Sequence, residues 1–494
     1  MKLKHYLMAA ALLATFGTTA VSCSDDNDDA TEQGGNNPGG NNNPGESTGE
    51  YDMEAQGDVE GIWTSGKRIH VTGHITVPEG KSLTIEEGVQ LIFSTEGVGA
   101  NHVAIEFIVK GNLYCKGTAE NPILMSIPED QRLADNIFKE EHQWGGIVAY
   151  PSCEEMLIDH TTIEYTGGQV IEGSPAASAG IYEAGDDAYP QITTNNPSGR
   201  YVITNSTIRY GWSDGIYMMG GNGIIANNIF AGNGYDGAES VNVKAGCKVD
   251  VAGNIMYAPN TNGLKLSSDG QDDVTRAQGK IKAYNNTIFN AGWRRDGEKG
   301  GCIYAEKNVL ADVFNNMMVN CKYRAQTPSW KDPNNIEEGY DTKSVIDYNC
   351  YISGRQQSDV IWGGEMNDEG EWEAGSGIAY AWEGYNYDHK NYHTEPYTTT
   401  NGILVPAVDA HSIIATKDNL PDPAFVNYDI HTAKMSDVVY DNTWDFHTTN
   451  VIAGAYSGSE TFAQPYFQTS GLTVGDATYY SPAVKACFGA YGAN

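Results

Sequence analysis

A short asparagine-centred phrase recurs through the middle of the chain and constrains its fold more than any other feature. The phrase occurs six times, with equivalent positions at Ser206, Asn228, Asn254, Asn286, Asn316 and Asn349. The steps between these positions are 22, 26, 32, 30 and 33 residues. Repeats of this length predict a solenoid, in which each unit buries its apolar face only against its neighbours. Asparagine suits the tight corner of such a coil because it tolerates the left-handed backbone region, and stacked corners allow the side chains to form a ladder.

Short strands are predicted before this repeat begins. Residues 71–77 alternate apolar and polar side chains, residues 78–80 form a turn, and residues 82–93 supply two more strands around a glycine corner. An alternation with a period of two, broken by Gly and Pro, is typical of β-strands. The strands are therefore expected to begin near residue 58.

Further phrases in the same region carry a family resemblance. They lie at residues 83–89, 108–111, 117–123, 144–147 and 161–168. They resemble the N-terminal coils of bacterial right-handed parallel β-helix repeat proteins, which share the pectate-lyase-like solenoid superfold. The resemblance covers residues 58–355 and implies an all-β chain folded as a single-stranded right-handed parallel β-helix. It implies no particular chemistry, because the family includes lyases, hydrolases and adhesins.

The regular phrase fades after residue 355. Residues 354–401 are rich in Trp, Tyr, Gly and Glu, and the pattern resumes weakly at residues 403–414. The open end of a solenoid needs a cover. Residues 356–494 are therefore predicted to form an irregular continuation and a C-terminal cap.

The N-terminus has the parts of an export signal. A charged start, a short apolar stretch and small residues occupy residues 1–22, and Cys23 follows directly. This order resembles a bacterial lipoprotein signal peptide, which implies that Cys23 becomes the lipidated N-terminus in the outer membrane. The alternative is an ordinary secreted protein in which Cys23 stays free. Residues 23–57 are acidic and rich in Gly and Asn, so they are expected to form a flexible tether.

The acidic run behind Cys23 bears on localisation. It resembles the signal that some Gram-negative lineages use to place lipoproteins on the outer face of the outer membrane, and the alternatives are a solvated linker or a periplasmic location. The whole chain has 30 Lys and Arg against 64 Asp and Glu, a net charge of −34. Such a surface repels nucleic acid and anionic lipid, so nucleic acid is not an expected partner. It also disfavours strongly anionic glycans unless a local basic site or a metal ion offsets it.

Cysteine usage does not predict a disulfide framework. With Cys23 lipidated, seven of the eight cysteines remain, scattered through the chain without a paired pattern. An odd and scattered set argues against a stapled fold, and no spacing resembles a zinc site.

A second repeat predicts where a ligand can bind. Residues 180–183, 215–218, 240–243, 263–266 and 302–305 read as the same strand on successive coils. Side chains alternate between the two faces of a strand, so the residue after each inward Ile, Val or Leu points outward. The predicted outward stripe consists of Tyr182, Tyr217, Asn242, Lys265 and Tyr304. Tyrosine rings can stack on sugar rings while the amide and the ammonium contact hydroxyls or a carboxylate. The alternative is that these side chains only cover the sheet.

An enzymatic role is an open alternative. A lyase needs a base and a cation beside a uronate carboxylate, and the candidates are Lys265, Arg294 and Arg295. Candidates for a Ca²⁺ site are Asp269, Asp272 and Asp273, although their spacing matches no standard loop. A hydrolase needs two carboxylates in the groove. Asp214, Asp236 and Glu239 lie near the stripe, but no phrase of the polygalacturonase type is present, so a lyase is favoured over a hydrolase.

The sequence therefore predicts a cell-surface lipoprotein that binds a polysaccharide or another extended surface ligand and requires no cofactor. The first alternative is a lyase or hydrolase that acts on an acidic polysaccharide. The second is a structural adhesin whose ligand is a protein. The oligomeric state and the identity of the ligand are left open.

Overall fold

The computed structural model describes residues 50–493 apart from 236, 273, 296, 298–299, 329–331, 363, 367–371, 375–376 and 388–392. The predicted signal peptide, the lipidated Cys23 and most of the tether lie outside the described residues. The described chain is nearly all β, with long parallel sheets and very few helices, which confirms the all-β prediction and is consistent with a solenoid-type fold. None of its helices has the length and apolar character needed to cross a membrane.

The strands form three parallel ladders that the chain visits in turn. The first ladder is a ten-stranded sheet of Gly61–Trp63, Ser82–Glu86, Asn112–Lys116, Glu155–Asp159, Arg200–Thr204, Gly221–Ala226, Cys247–Ala252, Lys280–Tyr284, Leu310–Phe314 and Val345–Ile346. The second contains Gln90–Phe93, Ile123–Ser126, Thr161–Glu164, Thr207–Arg209, Ile229–Ala231, Ile255–Tyr257, Thr287–Phe289, Met317–Val319, Cys350–Ile352 and Ile413–Ile414. The third contains Phe107–Val109, Ile147–Ala149, Ile192–Thr194, Ile216–Met218, Val241–Val243, Leu264–Ser267 and Ile303–Glu306. Two long strands, Met53–Asp58 and Arg68–Val77, join the second and third ladders into one 19-stranded sheet.

Apolar side chains stack in register between coils. In the first ladder Ile225 pairs with Val251, which pairs with Ala283, which pairs with Val313. All four side chains are buried in one continuous core. Because each coil contributes only a few inward residues, the core exists only when neighbouring coils stack.

The repeated asparagines form a buried ladder along the stack, as the sequence predicts. Asn254 shows the pattern: its Nδ2 donates to the carbonyl of Ile225 (3.0 Å) and to Oδ1 of Asn286 (2.9 Å), and its own Oδ1 accepts from the backbone N–H of Asn228 (2.9 Å). Asn228, Asn286 and Asn316 repeat these contacts with their own neighbours. Each amide thus satisfies polar groups on the coil before it and the coil after it, which fixes the register of the stack.

The left-handed corner falls on a different residue from the ladder. Positive φ angles occur one position earlier, at Asn205, Asn227, Gly253, Asn285, Asn315 and Tyr348. In each phrase the residue with the positive φ angle turns the backbone, and the residue that follows it forms the ladder. Our prediction assigned both tasks to one asparagine and was wrong on this point, because the corner and the ladder occupy two consecutive residues.

The remaining elements are short. The α-helices are Pro175–Ser178 and Ala381–Tyr385, and 3₁₀ turns lie at Glu129–Gln131, Ala134–Asn136, Glu140–His142 and Thr461–Ala463. Four antiparallel pairs join Gly364–Met366 to Trp372–Ala374, Tyr397–Thr398 to Leu404–Val405, Phe425–Asn427 to Asp445–Thr448, and Leu472–Val474 to Ala477–Tyr479.

The C-terminal segment packs against the outside of the coils. The carboxylate of Asp250, on the first ladder, accepts hydrogen bonds from the backbone N–H groups of Tyr466 and Phe467 and from the Ser481 hydroxyl. Further along, the guanidinium of Arg200 donates to the Thr473 carbonyl (2.9 Å). The role of residues 356–494 as a cap stays a prediction. The contacts of their last part show that it packs along the side of the first ladder.

Candidate functional site

The third ladder carries the predicted outward column. Tyr217 pairs with Asn242, Asn242 with Lys265, and Lys265 with Tyr304, each on the next coil. The inward partners Ile216, Val241, Leu264 and Ile303 are buried, as the period-two pattern requires. Four of the five stripe residues therefore stand in one column.

Tyr182 is not on the column. Residues 180–183 form no strand, and Thr193 on Ile192–Thr194 pairs with Tyr217 in the place expected for Tyr182. The strand prediction at residues 180–183 was wrong because an inserted loop copies the apolar–Tyr pattern, whereas the β-branched run 192–194 forms the strand. Tyr182 nevertheless folds back over the sheet, and its hydroxyl lies 2.6 Å from Oγ1 of Thr193.

A buried carboxylate holds this inserted loop against the ladder. Glu106 accepts hydrogen bonds from the Ser174 hydroxyl (2.5 Å), the Ala176 backbone N–H (3.0 Å) and the Tyr189 hydroxyl (3.0 Å). Burial raises the pKa of Glu106 above its ordinary value. The loop is therefore fixed as a wall that rises from the third ladder.

A cleft of about 350 Å³ opens between this wall and the ladder. Its aromatic lining comes from Tyr182, Trp212 and Tyr217, and its charged lining from Asp186, Asp187, Asp214, Glu239 and Lys244. Asn242 also lines the cleft, whereas Lys265 and Tyr304 do not. The structure thus brings three of the five predicted ligand-binding residues to one cavity.

Two carboxylates and the Asn242 amide form the floor of the cleft, and the Asn262 amide binds one of these carboxylates without lining the cleft itself. Asp214 accepts from the backbone N–H of Glu239 (2.6 Å) and from Nδ2 of Asn242 (3.1 Å). The same Nδ2 lies 3.3 Å from Oε2 of Glu239, and Nδ2 of Asn262 donates to Oε1 of Glu239 (3.0 Å). The two carboxylates are linked through Asn242, whose Nδ2 lies within reach of both, and the charge of Glu239 acts on the Asp214 carboxyl group.

The electrostatics of the floor are unusual. Burial, followed by the charge of Glu239, raises the pKa of Asp214 well above its ordinary value. Burial also raises the pKa of Tyr217, and the charges of Asp214 and Asp187 add to this effect. A buried carboxyl group with a perturbed pKa in a cleft is a physical mark of a functional site, since burying it beside a second carboxylate destabilises the fold.

Lys265 is ion-paired outside the cleft. Its Nζ lies 3.3 Å from Oε1 of Glu306 and 5.9 Å from the centre of the Tyr304 ring. Burial lowers the pKa of Lys265, but the nearby carboxylates outweigh burial and leave that pKa above its ordinary value. Burial raises the pKa of Tyr304 to about 12. A lysine base must first lose its proton, so this setting disfavours Lys265 as the base of a lyase.

The two arginine candidates do not line the cleft. The guanidinium of Arg294 donates to the carbonyls of Gly234 (2.8 Å) and Ala258 (3.0 Å) and stacks 5.1 Å from the ring centre of Phe138. Burial lowers the pKa of Arg294 to about 10. The carbonyl of Arg295 accepts a hydrogen bond from Nζ of Lys322 (2.8 Å). These contacts give Arg294 a structural role at a corner of the coil.

The Ca²⁺ candidates are also placed by local contacts. Asp269 pairs with Nζ of Lys244 at 3.4 Å. Asp272 is exposed and accepts from Thr275 and Arg276, and these hydrogen bonds, those of Thr275 first, lower its pKa. Asp273 lies outside the described residues. In the part of the chain that the structure describes, no group of three or more His, Cys, Asp or Glu side chains is arranged to hold a metal ion.

An exposed aromatic platform adjoins the cleft. The rings of Trp212 and Tyr235 lie 4.5 Å apart, and Tyr235 is 54% exposed. Trp212 belongs to both features, so the platform continues the cleft along the surface. Sequence reasoning missed the platform because it lies in the turns between ladders and not on strands.

The chain gives no match to a protein-family model, to a curated protein or to a solved structure. The floor carboxylates and Asn262 do carry a signal within the sequence itself. Asp214, Glu239 and Asn262 each stand two positions before an inward residue of the third ladder, namely Ile216, Val241 and Leu264. Aligning the repeats by these inward residues therefore collects both carboxylates and Asn262.

Proposed function

We propose that this protein is a lipid-anchored surface protein, folded as a right-handed parallel β-helix, that binds a carbohydrate chain in the cleft on its third ladder. The observation that carries the binding proposal is the cleft itself: aromatic rings stand on its walls above a fixed set of hydrogen-bonding groups. Sugar rings have apolar faces and polar edges, so they need both kinds of surface at once.

Truncating the aromatic wall tests this proposal. Tyr217→Ala is expected to weaken glycan binding about ten-fold, because it removes the aromatic ring with which the third ladder lines the cleft. The affinity of purified protein for glycans selected on an array would be measured by calorimetry. Tyr480→Ala is the matched control, since Tyr480 is 59% exposed and lies on the C-terminal segment; its affinity should equal that of the wild type.

Tyr304→Ala separates the cleft from the wider stripe. Tyr304 stands on the same column as Tyr217 but does not line the cleft. An unchanged affinity supports a ligand confined to the cleft and platform, whereas a loss equal to that of Tyr217→Ala supports a ligand along the whole column. If the wild-type protein binds no glycan on the array, the proposal of carbohydrate binding is wrong.

The proposed lipid anchor rests on the predicted signal peptide, residues 1–22, and on Cys23, which follows it. If Cys23 is lipidated, growth with a clickable fatty acid should label the wild-type protein and leave Cys23→Ser unlabelled. Protease added to intact cells would then report on surface exposure. An unlabelled wild type would favour the secreted alternative.

Hydrolysis is a second candidate function, favoured by the raised pKa of Asp214. A carboxyl group with a raised pKa holds its proton to higher pH than an ordinary carboxyl group does, as an acid that protonates the oxygen of a leaving sugar must. A reducing-sugar assay on glycans that bind would detect hydrolysis, and absorbance from unsaturated products would instead indicate a lyase. Loss of hydrolysis in Asp214→Asn with binding retained would support the acid role.

A further inference from the structure

We infer that the cleft selects a cationic amino-sugar chain over neutral or uronate-containing glycans. The inference rests on the proposed function and names the ligand class of the same site. It depends on three properties of the cleft: its charge balance, its excess of hydrogen-bond acceptors and its aromatic walls.

The charges that line the cleft are mainly negative. Asp186 and Asp187 are exposed on the wall, and Asp214 and Glu239 are buried on the floor. Among the described lining residues Lys244 is the single cation, and its Nζ lies 3.4 Å from a carboxylate oxygen of Asp269. The ammonium beside the floor, Lys265, is likewise paired with Glu306. A ligand carboxylate would meet like charge, whereas a ligand ammonium would meet opposite charge.

Two amide oxygens have no hydrogen-bond donor, one on Asn242, which lines the cleft, and one on Asn262, which binds Glu239 from outside the lining. Asn242 and Asn262 are 5% and 3% exposed, and each uses its Nδ2 to bind Glu239. The Oδ1 atom of each amide is buried without a hydrogen-bond partner. Buried acceptors without donors cost free energy, so the groups that complete this floor must be donors. A protonated amine supplies three donors and no acceptor, whereas a carboxylate supplies none.

The aromatic lining distinguishes an amino sugar from a simple polyamine. Tyr217 and Trp212 line the cleft, and Trp212 continues into the platform with Tyr235. Nζ of Lys244 lies 5.7 Å from the ring centre of Tyr217, so this ring already takes part in a cation–π contact within the protein. A pyranose ring that bears an ammonium group satisfies the ring face and the acidic floor together.

The test compares oligomers of equal length with the mature full-length protein. Glucosamine, N-acetylglucosamine and galacturonate oligomers would be titrated at about pH 6, where amines are protonated, at low and at raised salt. The glucosamine oligomer is expected to bind about ten-fold more tightly than the N-acetylated one, with the galacturonate oligomer weakest. Raised salt should reduce this preference because exposed charges are screened.

A pair of variants isolates the role of charge. The double variant Asp186→Asn/Asp187→Asn removes two wall charges from an exposed loop and should reduce the preference for glucosamine several-fold. Asp58→Asn/Glu79→Gln removes two exposed charges from the first coils, and its preference should equal that of the wild type.

Each result separates the ligand class from the binding function. If an N-acetylated or galacturonate oligomer binds as well as glucosamine, the selectivity is overturned while glycan binding stands. If no oligomer and no glycan on the array binds, the proposed function itself fails. Equal binding of a lysine oligomer would overturn the assignment to a sugar.

Discussion

Replacing Asn286 with alanine is expected to lower the free energy of unfolding by about 3–5 kcal/mol. The Asn286 side chain donates to the Val251 carbonyl and to Oδ1 of Asn316, and its Oδ1 accepts from the backbone and side-chain amides of Asn254. Alanine cannot replace these bonds, and the groups left behind are buried away from water. Urea unfolding followed by circular dichroism would measure the change.

Asn222→Ala is the matched control for this prediction. Asn222 also lies on the first ladder, but it is half-buried and its Nδ2 makes a single long contact with the Gly199 carbonyl, at 3.4 Å. Its loss should cost less than about 1 kcal/mol. Equal and small effects at the two positions would contradict the idea that the ladder fixes the register of the coils.

The repeated phrase made much of this architecture predictable. A ladder amide is useful only at a fixed place in each coil, so its spacing marks the coils even where insertions change their length. The same register then places Tyr217, Asn242, Lys265 and Tyr304 in one column, as the strand pairing shows. Strand alternation was sufficient to separate inward from outward residues.

The insertions between coils were not predictable in the same way. Tyr182 reaches the cleft from a loop and contacts Thr193. The buried carboxylate of Glu106, which is far away in sequence, holds that loop in place. No sequence pattern around Glu106 predicts that role. The C-terminal segment likewise depends on Asp250, whose contacts lie more than 200 residues further along the chain. Such contacts follow from the packing of complete coils and not from local periodicity.

The floor of the cleft differs from the asparagine ladder in the free energy that burial of its polar groups costs. In the asparagine ladder both the Nδ2 and the Oδ1 of each buried amide have hydrogen-bond partners. At Asp214 and Glu239 the fold instead buries two like-charged groups and leaves neighbouring amide oxygens unpaired. A stack built only for stability would place amides at these positions, so the pair is best explained by a ligand that supplies the missing donors.

Replacing Asp214 with asparagine is therefore expected to stabilise the unliganded protein at neutral pH. Burial and the neighbouring charge raise the pKa of Asp214 in the folded state, so folding favours its protonated form. As pH rises above about 4, the unfolded chain loses this proton more readily than the folded chain, and the wild type loses stability. An amide keeps its donor at every pH, so the advantage of Asp214→Asn should grow between about pH 4 and pH 7.

Thermal unfolding across this pH range would measure that advantage, with Asp272→Asn as a control of opposite sign. Hydrogen bonds from Thr275 and Arg276 lower the pKa of the exposed Asp272, so its contribution is present above the ordinary Asp pKa and is lost as pH falls. Asp272→Asn should accordingly lose stability relative to the wild type at neutral pH and match it in acid. If Asp214→Asn instead destabilises the protein equally at all pH values, the protonation of Asp214 does not govern stability, and Asp214 acts only as a hydrogen-bond acceptor for the Glu239 backbone and for Asn242.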